Sequence, residues 1–342
     1  MRPYATLLMY MLVVLLLGGC ASRYVPQYTN TGIKLQWPPK DPKIIYQGSL
    51  TGFTEEGTSG ISVVRTLAFG RESKGLFSNP VSFALGPNGE MAVADTGAKC
   101  VHLYLPKEMI YKRLTQAGHG QDFKSPVSVA FDKESMLYVS DSILRRIVIF
   151  DSKGELARVI TKVNGEELKR PTGLAIDMAR RTLYIIDTLQ HKIFIVDRIG
   201  QKLSEFGQRG AKGSGFNFPT HIWFAPDRRI FITDAMNFRI QIFSAHGDFI
   251  GSFGHHGDGS GDFAMPKGVA VDKKGVIYVV DALFDNVQLF DEWGEFLLTV
   301  GGRGKGPGEF WLPSGIFIDN SHNKLYVCDT FNKRIQIFEI RD

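Results

Sequence analysis

Cysteine is scarce, with three residues in 342, at positions 20, 100 and 328. No CxxCH stretch occurs, which excludes covalently attached haem. Beyond Cys20, Cys100 and Cys328 sit in the strand-like runs "AKCVHLYL" and "KLYVCDT", where a small buried apolar residue is expected rather than a disulfide. Charge of one sign is also missing. The formal net charge of +5 is not gathered in a basic tail, and that is too little to draw the chain to nucleic acid. GxSxG, HExxH and Walker motifs are absent, so no standard nucleophile elbow, zinc peptidase site or phosphate loop is written in the chain. No cofactor is expected on these grounds. What the sequence does hold is 37 Gly and 25 Phe in a chain that is 44% hydrophobic, which suits many short strands joined by tight turns.

No long spanning run is present either. The apolar stretch from Ala5 to Leu17 is short for a bilayer; Arg2 precedes it and Gly18-Gly19-Cys20 follows, the layout of a secretory signal. "LGGC" resembles a bacterial lipobox. The resemblance implies a signal peptide over 1–19 and a lipidated Cys20, with an ordinary cleaved signal or a short membrane anchor as the alternative. Each buried methylene of an acyl chain contributes about 0.8 kcal/mol to membrane binding. Ala21 rather than Asp follows the Cys, and by the enterobacterial sorting rule this implies the outer membrane, facing the periplasm or the surface. Residues 20–42 carry four Pro and little periodicity and read as an extended tether before a domain over 43–342.

That domain repeats. Pro80, Pro126, Pro171, Pro219, Pro266 and Pro313 each open a short strand. A second strand follows and ends on Asp95, Asp141, Asp187, Asp234, Asp281 or Asp329. Third strands such as "RIVIFD" and "RIQIFE" come next, then fourth strands such as "GEFLLTVGG". Strand and turn at a period in the mid-forties predict an all-β, six-bladed propeller of four-stranded antiparallel blades. The sixth blade lacks a fourth strand, because the sequence ends at Asp342 just after the third. Closure is therefore expected from an N-terminal strand, with "ISVVRTLAFG" at 61–70 as the candidate, since pairing removes two exposed edges.

"LPSGIFIDNSHNKLYVCDTFNKRIQIF" and "FPTHIWFAPDRRIFITDAMNFRIQIF" resemble NHL repeats, and the resemblance covers residues 61–342. It implies a six-bladed propeller that acts, in most relatives, as a binding platform and only rarely as an enzyme. Cys100 and Asn286 depart from the repeat, standing where Arg239 and Arg334 stand in other blades.

The Gly-rich "GGRGKGPGEF" at 301–310 looks at first like a phosphate loop. Its counterparts "GQRGAKGSGFNFP" and "GHHGDGSGDFAMP" recur between blades, each with a Phe behind the glycines, so a blade connector is expected instead. The six Asp are read as acceptors for backbone N–H groups in the adjoining turn. Arg146, Lys192, Arg239 and Arg334 are read as bridges within the scaffold.

Departures from the repeat are the better functional candidates. Two positions after the blade-initial Pro stand Ser82, Ser128, Gly173, His221, Gly268 and Gly315, of which His221 is the outlier. With Lys267 it forms a candidate ligand site at the channel mouth. The turns after the six Asp are unusually apolar for turns. There Leu144, Arg145, Phe238, Phe284, Phe331 and Lys333 are candidate partner-binding residues, while the first apolar position of each turn is expected to tuck between blades. The leading expectation is a monomeric, lipid-anchored, non-catalytic scaffold that recruits a protein partner in the cell envelope. The alternative is a small-ligand binder at the channel mouth or a metal-dependent propeller enzyme of lyase or hydrolase type, with calcium or zinc as the divalent metal.

Overall fold

The computed structural model describes residues 22–30, 32–56 and 75–341. Five blades are continuous in sequence. The first runs through Pro80–Leu85, Met91–Asp95, Cys100–Leu105 and Ile110–Leu114; the fourth through Pro219–Phe224, Ile230–Asp234, Arg239–Phe243 and Phe249–Phe253. Each is a meander of four antiparallel strands in sequence order, as the repeat predicts.

The second strands are apolar almost throughout because both of their faces are covered. Leu183 and Ile185 pack into the cluster shared with blade 2, while Tyr184 and Ile186 pack into the one shared with blade 4. Alternation along a strand thus serves two neighbours at once, and no face is left for polar residues. Among the described residues the core falls into six such clusters, one between each pair of adjacent blades.

Closure comes from the N-terminal side, but from a different segment than the one expected. Ile44–Glu55 pairs antiparallel with the third strand of blade 6, Arg334–Ile340, in a register from Ile44 against Ile340 to Leu50 against Ile335. The segment at 61–70 lies outside the described residues. Ile44–Glu55 takes that edge by burying apolar residues on both sides: Ile44 packs into the cluster shared with blade 5, and Leu50 and Phe53 into the one shared with blade 1. The stretch read as a tether also contributes strands, since Tyr24–Thr29 and Gln36–Trp37 both pair with Ile44–Glu55. The signal segment and Cys20 lie outside the described residues as well. Cys100 and Cys328 are buried free thiols.

The connectors behave as the repeat implies. Phe123, Phe216, Phe263 and Phe310 are buried plugs. Gly207, Gly254 and Gly301 hold φ between 83° and 93°, and a Cβ on any of them would run into the Phe216, Phe263 or Phe310 ring behind it. Glycine is demanded twice there, by the dihedral and by the plug. In "GGRGKGPGEF" the N–H of Gly306 donates to the Glu309 carboxylate, and Lys305 stacks over Trp311 at 5.1 Å. That N–H and that lysine are thus already engaged within the connector.

Candidate functional site

The six Asp are wholly buried latches that join each turn to the connector entering the same blade. Asp141 accepts from Lys124 and Ser125 N–H on the connector and from Ile143 and Leu144 N–H on the turn, all between 2.7 and 3.0 Å. Asp234 and Asp329 add Arg239 and Arg334, with Nε to Oδ2 at 2.9 and 2.8 Å. Arg146 binds the Ala117 and Gly118 carbonyls, and Lys192 pairs with Glu205. All four cations serve the scaffold.

Exposure along these turns reverses the expected order. The residue two after each Asp projects outward: Ile143 is 64% exposed, Leu189 46%, Met236 55%, Leu283 58% and Phe331 47%. The residue three after turns its side chain back onto the blade. Leu144 and Phe284 are therefore half-buried, and Leu144 packs on the cluster between blades 1 and 2. Asn237 and Asn332 occupy the same column and bond inward to their Asp, so the inward direction of this column is written in the repeat itself. Arg145, Phe238 and Lys333 take the next position, at left-handed φ of 53° to 57°. Phe238 is half-buried against the core and meets His256 edge-on at 4.5 Å, whereas Arg145 and Lys333 are exposed. Of the six candidate partner-binding residues, Phe331, Arg145 and Lys333 thus lie on the surface, beside four apolar neighbours that the sequence pattern assigned to the interior. Lys99 takes the same left-handed position in blade 1 and is also exposed.

His221 and Lys267 do not form one site. In four blades the residue two after the blade-initial Pro ties one innermost strand to the next. Ser82 accepts from Val129 N–H and Ser128 from Leu174 N–H, both at 3.2 Å, while Gly268 N–H donates to the Ser314 carbonyl at 3.0 Å. At Gly173, Gly268 and Gly315 a Cβ would strike the neighbouring strand. His221 does the same work across a wider gap, its Nδ1 accepting from Val269 N–H at 3.2 Å. Burial pushes its pKa down to about 4, so the ring is neutral at pH 7. Lys267 is half-buried, and burial lowers its pKa against the pull of Asp281. No described carboxylate pairs with it. His255 pairs with Asp262 at 2.7 Å, and among the described residues no three His, Cys, Asp or Glu gather as metal ligands.

This ring of ties pinches the channel near the turn face. Below it the innermost strands diverge around a cavity of about 400 Å³ that opens on the opposite face. The cavity is lined by Phe83, Phe131, Trp223, Phe224 and Phe317, with His221 inside and Arg228 and Asn320 at the rim. Trp223 reaches from blade 4 to Phe317 of blade 6, with ring centroids 5.6 Å apart, and screens the small residues of blade 5. Arg228 pairs with the buried Asp177 at 2.8 Å. Sequence reasoning points to His221 but misses the aromatic lining, although Trp223 and Phe317 stand where the other four blades carry Ala.

A protein family described as "6-bladed beta-propeller" matches residues 220–284 and 274–342. No curated protein matches the sequence. Among solved structures the chain is similar to virginiamycin B lyase from Staphylococcus aureus, with 13% identity, 77% of this chain and 96% of that one covered, and a TM-score of 0.56. It is similar to a gluconolactonase from Xanthomonas campestris, with 15% identity, coverage of 78% and 87%, and a TM-score of 0.58. An auxiliary nutrient binding protein from Bacteroides thetaiotaomicron gives 14% identity, coverage of 78% and 70%, and a TM-score of 0.59. At such identities the likeness establishes the architecture and leaves the activity to the residues. Strand order, blade contacts and these similarities agree that the chain is an all-β six-bladed propeller whose last blade is completed from the N-terminal side.

Proposed function

We propose that this chain is a non-catalytic, NHL-like propeller, lipid-anchored at Cys20 in the bacterial cell envelope, that captures a protein partner on its turn face. One observation carries the reading: in five of the six blades an outward-facing turn position holds Ile143, Leu189, Met236, Leu283 or Phe331. An isolated exposed apolar residue is ordinary, but five at one repeat position on one face are a docking surface. Lys99, Arg145 and Lys333 cluster on blades 6, 1 and 2, so the partner's matching surface is apolar with an acidic flank. An anchored platform needs no catalytic cluster.

The test is chemical cross-linking and capture from solubilised membranes, comparing the native chain with the triple variant Ile143→Ser, Met236→Ser, Leu283→Ser. The variant keeps its melting temperature and loses a partner that the native chain holds stoichiometrically. Retention of that partner by the folded variant overturns the reading. Cys20→Ala should release the chain from membranes into the soluble fraction.

A further inference from the structure

The channel cavity faces away from the turn-face ring and is not needed for partner capture. It also differs in kind. Its walls are aromatic and aliphatic, and its two charged lining residues, Arg228 and Asp177, neutralise each other. A charged ligand therefore gains no net counter-charge there.

The side-chain polar capacity left over in the cavity is of one type. The Nδ1 of His221 is occupied as an acceptor, so the neutral ring carries its proton on Nε2, and that N–H has no partner among the described residues. The Ser82 and Ser128 oxygens accept backbone N–H groups, which leaves both hydroxyl hydrogens to donate. Asn320 spends its Oδ1 on Lys273 N–H and keeps its amide hydrogens at the rim. Both Asp177 oxygens are filled, by Ala179 and Arg180 N–H and by Arg228. The lining side chains thus offer several unspent donors and hardly an unspent acceptor. A volume of about 400 Å³ lies in the range that holds a small organic molecule.

We infer that the cavity is a binding site for a small, uncharged, largely apolar molecule that carries carbonyl or ether oxygens as acceptors. The apolar body lies against Phe83, Phe131, Trp223 and Phe317. Its oxygens meet the His221 and serine donors at the inner end and Asn320 at the rim. A water-soluble polyol fits poorly, because most of the wall is aromatic or aliphatic. An organic anion would gain no net counter-charge, because Arg228 and Asp177 neutralise each other.

The probe is Prodan, a neutral naphthyl ketone whose emission moves to the blue in apolar surroundings. Titration of the full chain should give saturable one-to-one binding with a blue shift. The Ile143→Ser, Met236→Ser, Leu283→Ser variant should bind the dye unchanged, which separates this site from the turn face. Ala130→Phe, placing a ring in the cavity, should weaken binding by at least about tenfold. Asn320→Asp keeps the acceptor for Lys273 but replaces a donor with a carboxylate, and should weaken binding about fivefold while leaving the melting temperature unchanged. Should Ala130→Phe not fold, Asn320→Asp alone decides. Absence of saturable binding, loss of the dye in the turn-face variant, or unchanged affinity in a folded cavity variant overturns the inference.

Discussion

His102 stands where Gln241, Gln288 and Gln336 stand in blades 4, 5 and 6, and removing it should be the most costly single change in the latch of blade 1. Its Nε2 lies 3.4 Å from Asp95 Oδ2, its Nδ1 2.9 Å from the Tyr111 hydroxyl, and both His102 and Asp95 are buried. Burial favours the uncharged forms of both. The bonds to His102, Ser78, Ala98 and Asn79 outweigh it for Asp95 and bring its pKa to about 2. For His102, burial is likewise outweighed, by the bonds to Asp95 and Cys100, and its pKa rises above 6.5.

His102→Ala leaves Asp95 buried without this partner. Breaking a buried pair costs about 3–5 kcal/mol, and three remaining backbone N–H donors place this case near the low end, at about 3 kcal/mol. His102→Gln restores the amide donor that Gln241 and Gln336 supply to their own Asp at 2.9 and 3.0 Å, and should recover all but about 1 kcal/mol. The pH dependence has a definite sign. The raised His102 pKa gives stability that is complete below 6.5 and lost as pH rises through the folded value. The lowered Asp95 pKa gives stability present above 3.8 and lost as pH falls toward 2. The pair is therefore strongest between about pH 4 and 6.5, and only the alkaline loss should vanish in His102→Gln. Urea unfolding followed by tryptophan fluorescence from pH 5 to 9 measures this. Equal destabilisation by Ala and Gln, or a native chain whose His102-dependent stability grows from pH 6 to 9, would refute the argument.

His221 should behave oppositely. Its pKa of about 4 means stability present above 6.5 and lost as pH falls, so thermal melts of a His221→Asn variant should be flatter than the native between pH 4 and 6.5. Phe284→Ser and Leu144→Ser should each lower stability by about 1–2 kcal/mol because both side chains pack inward, whereas Leu283→Ser and Ile143→Ser should change it by less than about 0.5 kcal/mol. Differential scanning fluorimetry distinguishes the two columns, and equal effects would count against the inward packing of Leu144 and Phe284. Gly301→Ala, which combines a φ of 83° with a methyl against Phe310, should cost at least about 2 kcal/mol by chemical denaturation, and a neutral result would refute the plug.

Repetition makes most of the fold legible in the chain itself. Six recurring Pro and Asp, and apolar strands between them, are local and periodic signals, and a connector's glycines make sense once their copies are set side by side. The choice between Ile44–Glu55 and residues 61–70 as the closing strand is not legible, because both segments have strand-like patterns and only pairing with Arg334–Ile340 distinguishes them. Turn exposure is misread for a related reason. Hydrophobicity says that some turn residues must be buried, but which column turns inward depends on the path of the folded turn, since Asp141 bonds the N–H of both Ile143 and Leu144 and only Leu144 turns inward. The cavity needs the tertiary structure entirely, since Trp223, Phe317 and Arg228 come from different blades or strand ends and meet only when the ring closes. The blades are therefore a property of the linear chain, since strand pairing within a meander is a short-range affair. The site is a property of the closed ring, because a channel lining exists only when six innermost strands are held side by side.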